Sequence, residues 1–351
     1  MVRYSMIGAA SNAGGELFRL MLNHPETKLM HVADGFAHGQ RLLDTFPALN
    51  GFNEYDLVIE DVDDASVEKL LSDTDVLFLA VDAGTVSDYA EKALAKGVKV
   101  IDFGADMRFR DAKVWEEWYK VKHKNHEMSK NAVYSIPEIW RDKAKGANLI
   151  ANPGCYPTAT TLGLYPLLKT GAVVKDTIIV NTISGTTGAG RRPVFQNLYT
   201  EMENNFRAYG VATHRHTPEI EQNIETITGV KHIINFQPHL APMARGIHAT
   251  IYCTVNREFT NEELYDIYQA QYKDEPFVRV HPASQLPNTK WTAASNFCDM
   301  AATYDPRTHR VIICSVIDNI GKGAAGQAIQ NMNIIMGLPE TMGIYMPPTA
   351  P

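Results

Sequence analysis

The sequence predicts an α/β chain of two domains: a parallel sheet covered on both faces, then an α+β domain built on a largely antiparallel sheet. Three observations carry this. The first 150 residues alternate short apolar runs with amphipathic ones, the pattern of βαβ units. After Thr177 the runs lengthen, and several alternate apolar with polar residues, as in a sheet with one covered face. With 351 residues and 45% hydrophobic content, the chain can bury two cores and is not disordered.

Taken in order, Arg3–Gly8 reads as a strand, Gly14–Asn23 as a helix and Lys28–Ala33 as a strand. Val67–Ser72 is helical, Val76–Val81 a short apolar strand, Val86–Lys96 a helix and Val98–Phe103 a strand. Thr177–Ser184, His232–Pro238, Ile247–Asn256 and Val311–Val316 are the strand-like runs of the second domain. The boundary is placed near Ile150. The domains are thus 1–150, joined by a last helix at 323–337 that packs back on it, and 151–322. Residues 338–351, with prolines near the end, read as a tail.

Net charge is −7 with no basic run, which disfavours a nucleic-acid partner. Cys155, Cys253, Cys298 and Cys314 are far apart and form no CxxC pair, which points to a reducing compartment and to neither a zinc site nor a disulfide framework. No apolar run reaches the ~18 residues of a membrane span, and the N-terminus enters a strand at once. These features together predict a soluble, cytoplasmic protein.

The turn Gly8-Ala9-Ala10-Ser11-Asn12-Ala13-Gly14-Gly15 lies between a strand and a helix, the context in which a Rossmann-type dinucleotide fingerprint is credible. Gly8 permits the tight turn, Gly14 or Gly15 lets helix approach strand, and the helix N-terminus faces a pyrophosphate. Ser11 stands where the middle glycine is usual. Asp34 ends the second strand, twenty residues past Gly14. A carboxylate there suits the ribose hydroxyl of NAD and repels the 2′-phosphate of NADP; Arg41 and His38 are the nearby groups able to receive that phosphate instead.

Cys155 sits in Asn152-Pro153-Gly154-Cys155-Tyr156-Pro157-Thr158, between a buried strand end (Leu149–Ala151) and a helical run. A thiol at a helix N-terminus gains thiolate character from unpaired N–H groups and the helix dipole. A small buried hydrophobe is the plain alternative. The flanking prolines and Gly154 favour an exposed turn and a nucleophile.

His214-Arg215-His216-Thr217-Pro218-Glu219 places two histidines, a cation and a carboxylate within six residues. A metal pair is conceivable, but no third ligand stands at usual spacing. Acid/base work by an imidazole oriented by Glu219 suits the segment better. Arg108 follows the strand ending at Phe103, at the carboxyl edge where such folds bind ligands. Ser184-Gly185-Thr186-Thr187-Gly188-Ala189-Gly190-Arg191-Arg192 offers N–H groups, hydroxyls and guanidiniums for a phosphate. Arg245, near His239 and His248, suits a substrate carboxylate.

Together these segments resemble the N-acetyl-gamma-glutamyl-phosphate reductases of the aspartate-semialdehyde dehydrogenase superfamily. The matching runs are Gly8–Leu17, Asp102–Arg108, Tyr134–Glu138, Asn152–Thr158, Ser184–Arg191, His214–Ile220, His239–Ile247 and Asp318–Gln327, in order over nearly the whole chain. Ser11 departs from the family's glycine, Asn12 from its aromatic residue and Gly104 from its serine, and Ala83-Gly84 lies where a histidine is frequent.

The resemblance implies NADP rather than NAD as cofactor, Cys155 as nucleophile, and His216 with Glu219 as the acid/base. The expected cofactor site comprises Gly8, Ala9, Ser11, Asn12, Ala13, Gly14, Asp34, Ser184, Gly185 and Asn319. The expected acyl-phosphate site comprises Arg108, Asn152, Gly188, Arg191, His214 and Arg245, with no metal. The implied reaction reduces N-acetyl-L-glutamyl 5-phosphate to the semialdehyde, with phosphate release, in arginine biosynthesis. The same chemistry on an aminoadipyl or aspartyl phosphate is the alternative within the class; a non-catalytic dinucleotide-sensing protein is the alternative outside it. The antiparallel sheet suggests a homodimer or homotetramer.

Overall fold

A computed structural model of the chain describes residues 1–349. They divide into two compact units, Met1–Pro153 with Ala324–Ile344, and Gly154–Gly323 with the end of the chain from Tyr345. The observed division falls three residues beyond Ile150. Residues 338–344 belong to the first unit, and Thr349 donates its N–H to Ala293 O at 3.0 Å in the second. The expected tail is therefore ordered up to there, and 350–351 lie outside the described residues.

The first unit holds a six-stranded sheet of β1 (Val2–Ile7), β2 (Thr27–Ala33), β3 (Val76–Leu79), β4 (Lys99–Asp102), β5 (Val133–Tyr134) and β6 (Leu149–Ala151). Their order is β2-β1-β3-β4-β6-β5, and every pairing is parallel. All four residues of β3, Val76-Leu77-Phe78-Leu79, are buried, as a central strand covered on both faces requires. The chain runs from β1 outward to β2 and returns past β1 to β3. The switch point therefore lies where the loops after β1 and β3 emerge, the usual ligand crevice of such sheets.

Gly8 makes the turn after β1 with φ +85°, and a Cβ on it would lie 2.1 Å from Ala80 O. Only glycine fits there. The last helix, Gly326–Ile335, belongs to this unit and is preceded by a π-turn at Gly321–Ala325. Buried amides anchor it: Gln330 donates to Glu138 at 3.1 Å, and Asn331 donates to Ser135 O at 3.2 Å.

The second unit holds β7 (Ile179–Ser184), β8 (Arg207–Ala208), β9 (Asn235–Leu240), β10 (Ile247–Thr254), β11 (Val278–Val280), β12 (Cys298–Asp305) and β13 (Arg310–Ile317). The sheet order is β11-β12-β13-β10-β7-β9-β8. It is mixed: β7–β9 and β11–β12 run parallel and the other pairs antiparallel. The helix Cys155–Lys169 lies on one face, so close that a Cβ on Gly163 would sit 2.9 Å from Ser315 Cβ. Tyr268 and Tyr272, from the helix Asn261–Tyr272, donate their hydroxyls to Gly163 O and Leu162 O at 2.8 and 2.6 Å. On the opposite face, His248, Thr250, Tyr252 and Thr254 of β10 alternate with buried neighbours and stay partly exposed.

Candidate active site

Cys155 opens the fifteen-residue helix Cys155–Lys169, with Gly154 as an extended N-cap that has no side chain to cap it. The residues of the run explain the turn. Gly154 leaves the first turn uncrowded, and Pro157 needs no N–H where none has an intrahelical partner. The Gly154 N–H instead donates to Glu219 Oε1 at 2.9 Å. Glu219 is fully buried. Gly154 O accepts from the Thr158 N–H and hydroxyl, both at 2.9 Å.

Gly323 passes beside Cys155: a Cβ there would lie 2.7 Å from Cys155 Cβ. Cys155 is half-buried, whereas Cys253 and Cys298 are buried. Burial pushes the Cys253 thiol up to about 12 and raises that of Cys314. Neither is a competing thiolate near neutral pH.

The helix Thr217–Thr228 has His216 at its cap position, with Pro218 and Glu219 in its first turn. His216 and Glu219 are thus fixed by one helix start, and Glu219 reaches the turn that presents Cys155. A second bridge is aromatic. Tyr156, next to Cys155, meets the His216 ring at 5.8 Å and the His214 ring at 5.5 Å. Its hydroxyl pairs with that of Tyr209 at 2.8 Å. Burial pushes the Tyr156 phenol well above its ordinary range and that of Tyr209 to about 12, so both stay neutral.

His214 differs from His216. Its Nδ1 accepts the His216 backbone N–H at 3.1 Å. Burial, then the charge of Arg215, depresses its pKa to about 4. It is a neutral acceptor at physiological pH. His239 donates through Nδ1 to Thr182 O at 3.2 Å and stacks on Phe206. The two histidines of the sequence motif therefore divide into a fixed acceptor and a cap-position ring.

The glycine-rich loop after β7 corrects an expectation. Its amides were expected to cradle phosphate, yet Gly185, Thr186 and Thr187 donate to Gly246 O, Met243 O and Ala244 O at 2.9, 2.9 and 3.1 Å. Gly188 and Gly190 donate within the loop. Asn319 clasps it from the side, accepting from the Gly246 N–H at 2.7 Å and donating to Thr187 Oγ1 at 2.9 Å. Ser184 Oγ donates to Gly185 O at 2.9 Å. Arg245, expected at a substrate carboxylate, grips Asp318 with Nε and Nη2 at 2.8 and 3.2 Å. Asp318 also accepts from the Ala294, Ile320 and Gly321 amides. Arg191 remains on an exposed stretch.

In the first unit, the Ser11 hydroxyl caps the helix Asn12–Met21 by accepting from the Gly14 N–H at 3.0 Å. Asn12 and Ala13 form its first turn, which carries no acidic residue, so the N-terminus suits an anion. A Cβ on Gly14 would strike Ala9 O at 2.3 Å. The turn thus keeps the close packing a pyrophosphate-binding loop needs without its middle glycine.

Asp34 is buried, and its oxygens accept from the Ala10, Phe36 and Ala37 amides at 3.1, 2.9 and 3.2 Å. The carboxylate expected at a ribose is engaged by the turn itself. Arg41 lies exposed in a pair with Asp56, an arrangement of little net strength that a phosphate can displace.

Arg108 and Asn152 also differ from expectation. Arg108 is buried, donating to Asn152 O at 2.9 Å and Phe103 O at 2.8 Å. The Asn152 side chain donates to Ala324 O at 3.1 Å and accepts from Asn331 at 3.2 Å. These two groups brace the strand ends. Sequence reasoning gave no role to Tyr156, Tyr209, Asp318 and Gly323; Tyr156 lies in the thiol motif and Asp318 and Gly323 in the run Asp318–Gln327, whereas Tyr209 lies in none of the matching runs.

Residues 3–147 match the family described as semialdehyde dehydrogenase, NAD binding domain, and residues 155–319 match semialdehyde dehydrogenase, dimerisation domain. Fold and cysteine site thus define a protein of the semialdehyde dehydrogenase class. Aspartate semialdehyde dehydrogenase II of Vibrio cholerae has the same fold, with TM-score 0.70 at 15% identity over 96% of this chain and 98% of that one. So does the aspartate semialdehyde dehydrogenase of Candida albicans solved with NADP, with TM-score 0.67 at 15% identity over 95% and 98%.

The N-acetyl-gamma-glutamyl-phosphate reductase of Moorella thermoacetica is 42% identical over the whole of both chains, and that of Symbiobacterium thermophilum 45% over 98% and 97%. The chain belongs to the N-acetyl-gamma-glutamyl-phosphate reductase family.

Proposed function

We propose that the chain reduces N-acetyl-L-glutamyl 5-phosphate to N-acetyl-L-glutamate 5-semialdehyde, with release of phosphate, in arginine biosynthesis. The observation that carries this reading is a half-buried thiol at a helix N-terminus whose turn is held by Glu219, with His216 on the same helix start as Glu219. Whole-length identity to curated reductases supports the substrate.

In this reading the Cys155 thiolate attacks the acyl carbonyl; a C–S bond forms and the bond to phosphate breaks. The N-terminal amides of the helix Cys155–Lys169 favour the thiolate before attack. His216 holds the proton that the oxyanion takes up when the thioester is reduced, and recovers it as the hemithioacetal collapses to aldehyde and thiolate. Glu219 holds the Gly154 amide of the turn that presents Cys155, and the neutral His214 holds the backbone N–H of His216 itself. NADPH, when bound, would supply the hydride and leave as NADP. Gly8, Ala9, Ser11, Asn12, Ala13 and Gly14 would hold its pyrophosphate, and Arg41 would meet its 2′-phosphate.

The partly exposed face of β10 and its neighbours supports self-association as a homodimer or homotetramer, in keeping with the matched dimerisation domain. Four free cysteines suit a cytoplasmic setting. Phosphate-dependent oxidation of N-acetylglutamate semialdehyde, run with NADP and NAD in parallel, tests the reading. Turnover with NADP is expected; faster turnover of aspartate semialdehyde would overturn it.

A further inference from the structure

Asp106 lies in the run Asp102–Arg108 without a role assigned from sequence, and its surroundings are unusual. It is buried at 2% exposure, and its Oδ2 accepts from the Gly84 and Val86 amides at 2.8 and 3.3 Å. Those amides stand at the start of the helix Val86–Ala95, whose own cap residue, Thr85, makes no side-chain cap. The cap comes instead from a carboxylate twenty residues on in sequence.

The loop so held follows β3, at the switch point of the sheet. Gly84 sits in it with φ +88°, and a Cβ there would lie 2.7 Å from a Val121 methyl. The other end of the same loop touches the glycine turn, because Ala80 O is the atom that a Cβ on Gly8 would strike. Asp106 itself belongs to the loop after β4, and its own carbonyl accepts from His123 Nε2 at 2.7 Å. One side chain therefore ties the β4 loop to the β3 loop, and the β3 loop abuts the turn that carries the dinucleotide fingerprint.

We propose that Asp106 is a positioning residue for dinucleotide binding: it staples the loops after β3 and β4 and so holds the crevice beside Gly8 in its binding shape. This rests on the cofactor reading given above. Local sequence supplies no substitute, since Thr85 leaves the Val86 end without a side-chain acceptor of its own. The remaining oxygen, Oδ1, is buried with no hydrogen-bond partner among the described residues. A full carboxylate is thus more than the staple needs, and an amide oxygen in its place would accept the same two bonds.

The test compares Asp106→Ala and Asp106→Asn with the unmodified full-length protein. NADPH binding is followed by the change in its fluorescence, with turnover in the same preparations. Asp106→Ala should raise the Kd and KM for NADPH by about tenfold, the order expected from losing the two hydrogen bonds of the staple. Its kcat at saturating NADPH should stay within roughly threefold, and Asp106→Asn should restore the wild-type Kd. Alkylation of Cys155 at an unchanged rate in both variants reports that the second unit is intact. An unchanged Kd in Asp106→Ala, or an Asp106→Asn variant as weak as Asp106→Ala, overturns the proposal. Failure of the unmodified protein to bind NADPH would count instead against the cofactor reading.

Discussion

The two units use their polar residues differently. In the first, the groups that stand where ligands are expected are turned inward: Asp34 holds three amides, Arg108 two carbonyls, and Asn152 engages both ends of its side chain. In the second, the supports are equally well bonded, but they surround a half-buried thiol and a half-buried imidazole. Glu219, His214, Tyr156 and Asp318 hold backbone and rings, and in the proposed reading Cys155 and His216 are left for chemistry. In that reading the first unit presents backbone geometry to a nucleotide, and the second presents side chains on a bonded frame. The difference follows from what each must do: a pyrophosphate is met by helix-terminal amides, whereas acyl transfer needs a specific nucleophile and a specific proton carrier.

The comparison is sharpened most by His216→Asn, which should lower kcat by roughly 10²–10⁴, the usual range for one proton-transfer group. Steady-state turnover at saturating substrate is the readout, and a loss of only a few-fold would assign the proton to another residue. Next in size is Arg108→Met, which keeps the apolar stem and removes the bonds to Phe103 O and Asn152 O. Leaving buried carbonyls unpaired costs about 1–3 kcal/mol each, so the denaturation midpoint should fall clearly. A variant with unchanged stability and no activity would break the comparison by making Arg108 a ligand group.

The smallest effect is a pH dependence. His214 has a folded pKa depressed to about 4, so the unfolded chain binds its proton first as pH falls. Its contribution to stability is full above about 6.5 and is lost between there and about 4. Urea midpoints from pH 7 to pH 4 should fall more steeply for the unmodified protein than for His214→Gln.

Much of this was legible because it is local. Pro-Gly before a thiol and Pro just after it mark a helix start, and Thr217-Pro218-Glu219 marks another; each was readable within a few residues. The alternation along Ile247–Asn256 gave β10 and its half-exposed face in the same way. What escaped is non-local. β12 was missed because Asp299 and two alanines make a poor strand in isolation. There Asp299 is buried against Arg279 from β11, with oxygens at 2.6 and 2.9 Å. Pro238 was taken as a strand end, yet β9 runs on to Leu240. The inward roles of Asp34, Arg108 and Asn319 were hidden for a similar reason: the groups they engage lie on other loops, up to 132 residues away for Thr187 and Asn319.

The account stands most directly on covalent chemistry at Cys155. Mixing the enzyme with N-acetylglutamyl phosphate in the absence of NADPH, quenching in acid and mapping the peptides by mass spectrometry reads that step alone. One phosphate released per site and one acyl group on the peptide bearing Cys155 is the expected result, with neither seen for Cys155→Ser. Phosphate release without an acyl group on Cys155, or an acyl group on Cys253, Cys298 or Cys314, would contradict it.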